Sequence, residues 1–93
     1  MTALQIQKRL RRFATKEKAA LLQRFFKTGP GQYGEGDKFL GVVVPDLRKV
    51  VKEFRDAPLT EVAKLLRSPW HEDRLLALLI LVDQFERGEE TLR

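Results

Sequence analysis

Ninety-three residues suffice for one small domain, and with no cysteine they hold neither a disulfide framework nor a thiolate metal site. Eighteen Lys and Arg against 13 Asp and Glu leave a net charge of +5, and 43% of the residues are hydrophobic, a globular rather than a disordered balance. The first residues, M-T-A-L-Q-I-Q-K-R-L, have no apolar core of signal-peptide length, and the longest apolar run, 75–82, is too short to span a bilayer, so a soluble, cytoplasmic chain is expected.

Taken in order, residues 2–14 predict a first helix. Thr2 is its cap, and Ala3, Ile6, Leu10 and Phe13 recur at threes and fours as one apolar stripe. Thr15 caps a second helix that runs to about Lys27. Glu17 lies in its first turn, and Leu21, Leu22, Phe25 and Phe26 are expected on its buried side. Two helices so close in sequence suggest an antiparallel hairpin. Gly29-Pro30 stops the second, and a glycine-rich loop over 28–44 follows, with four glycines between Gly29 and Gly36. Such glycine density marks a looped path. The apolar run 39–44 has to be buried, and Pro45 suits the first turn of a third helix over 45–56 with Leu47, Val50, Val51 and Phe54 inward. Ala57-Pro58 ends it. A short fourth helix over 59–67 turns Leu59, Val62, Ala63 and Leu66 inward.

Ser68-Pro69 then opens a fifth helix over 69–87, apolar on every side from Leu75 to Val82. A helix of that kind is buried all round, which four preceding helices do not easily achieve; the stacked layers of a helical solenoid, or a second copy of the chain, would cover Leu78 and Leu81. Gly88 is read as its end, and 89–92 as the opening of a further helix, so the chain is expected to be the first part of a longer architecture.

The charge is lopsided. Residues 1–52 hold 12 basic and 4 acidic residues, net +8, whereas 53–93 hold 6 and 9, net −3. A one-sided basic field suits a polyanion such as duplex DNA, and equally a plain solvated face. The cations that flank the loop or lie off the apolar stripe of the third helix, Lys27, Lys38, Arg48, Lys49 and Lys52, are the candidate phosphate contacts, and Tyr33 beside Lys38 is a candidate aromatic contact. The glycine loop itself fits no Walker or dinucleotide pattern, and Glu35 and Asp37 would repel an anion, so its role is read as conformational. His71 is the lone histidine, with no H-E-x-x-H, and no metal or other cofactor is expected. Glu72 and Asp73 read as ordinary first-turn acids, with Arg74 or another base as Glu72's partner, and Trp70 as a packing anchor.

Two blocks carry a resemblance. F-F-K-T-G-P-G-Q-Y-G-E-G-D-K-F-L-G-V-V-V-P-D-L-R, from Phe25 to Arg48, and S-P-W-H-E-D-R-L-L-A-L-L-I-L-V, from Ser68 to Val82, resemble the N-terminal signatures of the AlkD-type DNA alkylation repair family. The resemblance implies an all-α fold of about five helices, antiparallel hairpins stacked as a HEAT-like solenoid. It also implies hydrolysis of the N-glycosidic bond of alkylated purines such as 3-methyladenine and 7-methylguanine. In that reaction a carboxylate stabilises the oxocarbenium-like sugar. The family's W-W-D-x-V-D type segment, which supplies that carboxylate, has no counterpart here, so the resemblance carries over no catalytic residue. Two rival readings stand beside it: a HEAT-like protein-interaction module, and a helix-turn-helix protein. For the latter the third helix offers only Arg48 at its reading end.

Overall fold

The computed structural model describes residues 1–25 and 37–92, with side chains through residue 88. Among these residues the chain is all-α: α1 (Ala3–Arg11), α2 (Lys16–Phe25), α3 (Val44–Glu53), α4 (Leu59–Leu66) and α5 (His71–Leu92). One isolated parallel bridge joins Lys38 to Trp70.

Local chemistry sets each start. The Thr2 hydroxyl accepts from Gln5 N at 3.2 Å while the Gln5 side chain accepts from Thr2 N at 2.9 Å, a reciprocal capping box. Thr15 caps α2 by accepting from Lys18 N at 3.2 Å. At α3, Pro45 falls in the first turn, where its missing N–H costs nothing, and Asp46 complements the helix dipole. No helix here is long and apolar enough to cross a membrane, among the described residues.

The centre of the packing is α5, which lies against both α3 and α4, while α1 closes the layer over α3 and α4. Ile6 and Leu10 of α1 meet Leu47 and Val50 of α3, Val62 and Leu65 of α4, and Leu76, Ala77 and Ile80 of α5 in one core. Leu76 is wholly buried. Truncating it to alanine removes transfer energy and leaves a cavity, so Leu76→Ala should cost about 2–5 kcal/mol in a urea titration.

Side-chain ties fix the relative positions of the helices. Arg9 of α1 binds Glu53 of α3 through two hydrogen bonds of 2.8 and 2.9 Å. Glu61 of α4 accepts from Ala3 N at 2.9 Å, and the Lys64 hydrogen bond holds its carboxyl below the usual range. At the far end, Arg55 pairs with Asp83 at 3.2 Å, and Gln84 and Arg87 donate to the carbonyls of Arg55 and Ala57. Glu72 near the start of α5 meets residues 40–42, just before α3, and Asp83, farther along α5, meets Arg55, just after α3, so α3 and α5 run parallel.

Several expectations change. Leu21 and Phe25 do not form a buried side of α2: no residue of α2 is buried, Leu21 and Phe25 are 60% and 75% exposed, and of the expected residues Leu22 alone is partly buried among those described. The face that approaches the rest of the chain is Thr15-Ala19-Leu22: Thr15 and Ala19 lie against the backbone of Gly41, and Leu22 lines a small cavity with Val42 and Leu47. Phe26 lies outside the described residues. Helix α4 is turned one position from expectation. Val62 and Leu65 are buried, whereas Leu59 and Leu66 face solvent, because the α1–α5 side selects the 62/65 stripe. In the 39–44 run, Phe39 and Val42 are buried but Val43 and Val44 are exposed at the start of α3. Helix α5 begins at His71, two residues after Pro69, and continues through Gly88, which stands in open space and faces no clash or positive φ that would end the helix. Its apolar segment is not covered all round: Leu78 and Val82 are 51% and 52% exposed, and Leu81 is half-buried.

Candidate nucleic-acid interface

With Leu47, Val50 and Val51 turned inward, the helical period leaves Arg48, Lys49 and Lys52 on the outer face of α3. Arg48 and Lys52, four apart, form one wall of an open groove of about 550 Å³ between α3 and α5. Val51, Leu79 and Val82 floor it, and Asp83 and Glu86 stand on the opposite wall. Lys49 reaches Asp46 at 3.5 Å with its side chain two-thirds exposed, a pair of little strength. Its ammonium also lies 5.9 Å from the Phe13 ring centre, and the Arg9 guanidinium lies 4.9 Å from the same ring. Phe13 thus gathers cations from two helices on one face.

The other charges divide into those tied into the fold and those available to a partner. Arg9, Arg11, Arg55, Arg74 and Arg87 are all bound to carboxylates. The Arg55 hydrogen bond, aided by Arg87, holds the Asp83 carboxyl below the usual carboxylate range, so it stays ionised as an anchor of the α3–α5 corner. By contrast, Lys8, Arg12, Arg48 and Lys52 are exposed and sit in no ion pair among the described residues. Lys16 and Arg24 on α2, Lys38, and Arg67 after α4 are likewise exposed and in no ion pair among the described residues, so uncommitted charge is spread over the surface; Arg48 and Lys52 are the part of it that borders the groove between α3 and α5.

The sequence-predicted contacts do not all converge. Arg48, Lys49 and Lys52 share one face. Lys38 is exposed at a different junction, where its carbonyl accepts from His71 N at 2.7 Å and its ammonium lies 5.9 Å from the Trp70 ring centre. Lys27 and Tyr33 lie outside the described residues. Trp70 is half-buried, a partial anchor whose ring stays within reach of Lys38.

A basic face on a small all-α chain is compatible with many partners, and comparison with known proteins narrows them. The sequence profile of the DNA alkylation repair enzyme family matches residues 6–93. The chain belongs to that family. No curated protein and no solved structure matches it. Membership ties this DNA alkylation repair family chain to alkylation repair and agrees with the resemblance carried by the Phe25–Arg48 and Ser68–Val82 blocks.

In this family member the two first-turn acids of α5 have more than the dipole-complementing role expected of them. Glu72 is buried and accepts three backbone hydrogen bonds: Leu40 N at 2.8 Å, Gly41 N at 2.7 Å and Val42 N at 3.0 Å. It does not pair with Arg74, which binds Asp37 instead. A carboxylate is suited to this place because it presents several lone pairs to converging donors. Asp73, also buried, accepts from Ser68 Oγ at 2.7 Å, Gln7 Nε2 at 3.1 Å and Arg11 at 3.3 Å, tying α1 to α5. Ser68 in turn accepts from Trp70 N at 3.1 Å, an N–H that precedes α5, so Ser68 braces the turn leading into the helix and is not the helix cap expected of it. His71 Nδ1 lies 3.3 Å from Asp37, and its ring packs on Phe39 at 4.7 Å. Among the described residues no group of three His, Asp or Glu side chains is placed to hold a metal. The sequence signal for Glu72's role was the apolar 39–44 run, whose backbone donors need an acceptor once buried.

Proposed function

We propose that this chain supplies the helical scaffold and DNA-backbone contacts of a glycosylase that releases alkylated purines such as 3-methyladenine and 7-methylguanine, with its helices forming HEAT-like layers. The observation that carries the reading is the set of exposed cations on α3, Arg48, Lys49 and Lys52, on a chain whose other arginines are mostly committed to internal carboxylates. Phosphate contacts position a duplex without reading its sequence, and lysine and arginine on one helix face suit that task. The chemistry is not assigned to these residues. Glu72 is taken up by three backbone amides and Asp73 Oδ2 by Ser68, Gln7 and Arg11; Asp73 Oδ1 is buried without a hydrogen-bond partner, and both carboxylates are enclosed by the fold rather than presented at its surface.

The test pairs binding with chemistry. Duplex DNA should bind weakly and without sequence preference, and incubation of the same protein with methylated DNA for hours should release no free base. Excision by this chain alone would refute the placing of catalysis outside these residues. Absent or salt-insensitive DNA binding would favour a non-enzymatic protein-interaction module, the reading to which the exposed apolar side of α5 would then lend weight.

A further inference from the structure

Ion pairing grades the cations on α1 and α3 from locked to open. Arg9 is locked: hydrogen bonds of 2.8 and 2.9 Å join it to Glu53, and its guanidinium lies against the Phe13 ring. Arg48 and Lys52 are open, exposed and in no ion pair among the described residues. Lys49 stands between these extremes. Its ammonium lies 3.5 Å from Asp46 Oδ1, three residues back on the same helix, and 5.9 Å from the Phe13 ring centre. The two ends of this pair differ. The Lys49 side chain is 66% exposed, whereas that of Asp46 is only 18% exposed and is set into the first turn of α3, where the helix dipole favours it. Lysine is thus the partner that moves, and the carboxylate is the fixed one.

A pair with so exposed an ammonium has little strength of its own, so a phosphate can take the lysine from it. The two-bond union of Arg9 with Glu53 resists such an exchange. We infer that Asp46 is an internal competitor for the phosphate contact of Lys49: its carboxylate occupies the ammonium while no DNA is bound and has to give it up when DNA binds. This rests on the DNA-contact reading and adds a restraint to that same site. Arg48 and Lys52 contribute without any exchange, whereas Lys49 contributes only what phosphate offers beyond Asp46. Once left behind, the fixed carboxylate also stands unpaired near an anion, and like charges in proximity cost free energy. Asp46 therefore holds the affinity of the α3 face below that of three open cations.

The test is a double-mutant cycle on duplex DNA binding, read by fluorescence anisotropy for the parent, Asp46→Asn, Lys49→Ala and the pair D46N/K49A. Asp46→Ser serves as a second neutral replacement, and circular dichroism melting confirms that each variant is folded. Asp46→Asn should bind DNA about two- to five-fold more tightly than the parent at low salt, and the gain should shrink as salt rises. In the Lys49→Ala background the same change should bring a clearly smaller gain, because the contested ammonium is gone. Folded neutral variants that bind no more tightly than the parent would overturn the inference and leave the DNA reading standing. An equal gain with and without Lys49 would also overturn it, since Asp46 would then act as a general repelling charge. A parent without salt-dependent binding would remove the DNA reading and this inference together.

Discussion

Gly41→Ala should be among the most destabilising single changes in this protein, a loss of more than about 4 kcal/mol and a fall in Tm of roughly 15–30 °C. Two independent effects act at the one position. Gly41 has φ of +88°, a conformation that an L side chain adopts only with strain. A Cβ there would also lie 2.1 Å from the Thr15 carbonyl oxygen and 2.6 Å from Ala19 N. Both neighbours are backbone atoms in the first turn of α2, so neither can rotate away. The contact is meant to be close, since Thr15 N donates to the Gly41 carbonyl at 3.2 Å. Relief would require α2 to lift from the 39–43 segment. Thermal unfolding followed by circular dichroism reads the loss. A variant that melts within a few degrees of the parent would show that α2 does not rest on Gly41. Gly88→Ala is the control: nothing lies within 4 Å of the added Cβ, and alanine favours the helix by about 1 kcal/mol, so that variant should be slightly stabilised.

The second large effect is expected at Glu72. Glu72→Ala leaves the amides of Leu40, Gly41 and Val42 without their acceptor in a region closed to water. Each unsatisfied buried donor costs about 1–3 kcal/mol, and removal of a charged acceptor lies toward the top of that range. A combined loss of about 3–5 kcal/mol follows, comparable with much of the stability of a small domain. Glu72→Gln should cost less, since one carbonyl oxygen remains, but its NH₂ would face an N–H and still lose part of the bonding. Urea midpoints order the three proteins: parent, then Gln, then Ala. Equal midpoints for parent and Ala would mean that water reaches those amides.

The number of helices and most of the core could be read from the sequence because hydrophobic spacing reports directly on which helical face is buried. Ile6, Leu10, Leu47, Val50 and Val62 are all found where their periodicity puts them. Periodicity is blind where a helix offers two apolar stripes. On α4, Leu59-Val62-Leu66 and Val62-Leu65 are both acceptable stripes, and only the positions of α1 and α5 decide between them. On α2 the bulky residues drew attention to Leu21 and Phe25, whereas close backbone approach at Gly41 calls for the small residue Ala19. The same approach gives a role to a glycine that glycine density does not single out. Density singled out 29–36, outside the described residues, while the glycine with a demonstrable conformational need stands alone inside an apolar run. Glu72 was undervalued for a related reason. A first-turn acid has a ready local explanation, and its real partners lie thirty residues away in sequence. On the candidate interface, the α3 trio follows from the helix period alone, whereas the separate position of Lys38 depends on a tertiary bridge to Trp70.

The proposed DNA contact is tested most directly by the salt dependence of duplex binding, measured by fluorescence anisotropy on the parent chain and on the triple variant Arg48→Ala, Lys49→Ala, Lys52→Ala. Each cation that neutralises a phosphate contributes about 0.9 to the slope of log K against log salt. The side chains face outward, so the variant should keep its fold and Tm. The account predicts a steep slope for the parent and one shallower by roughly 2–3 for the variant, with weaker binding at every salt concentration. An unchanged slope in a folded variant, or a parent that shows no salt-dependent binding, would contradict it.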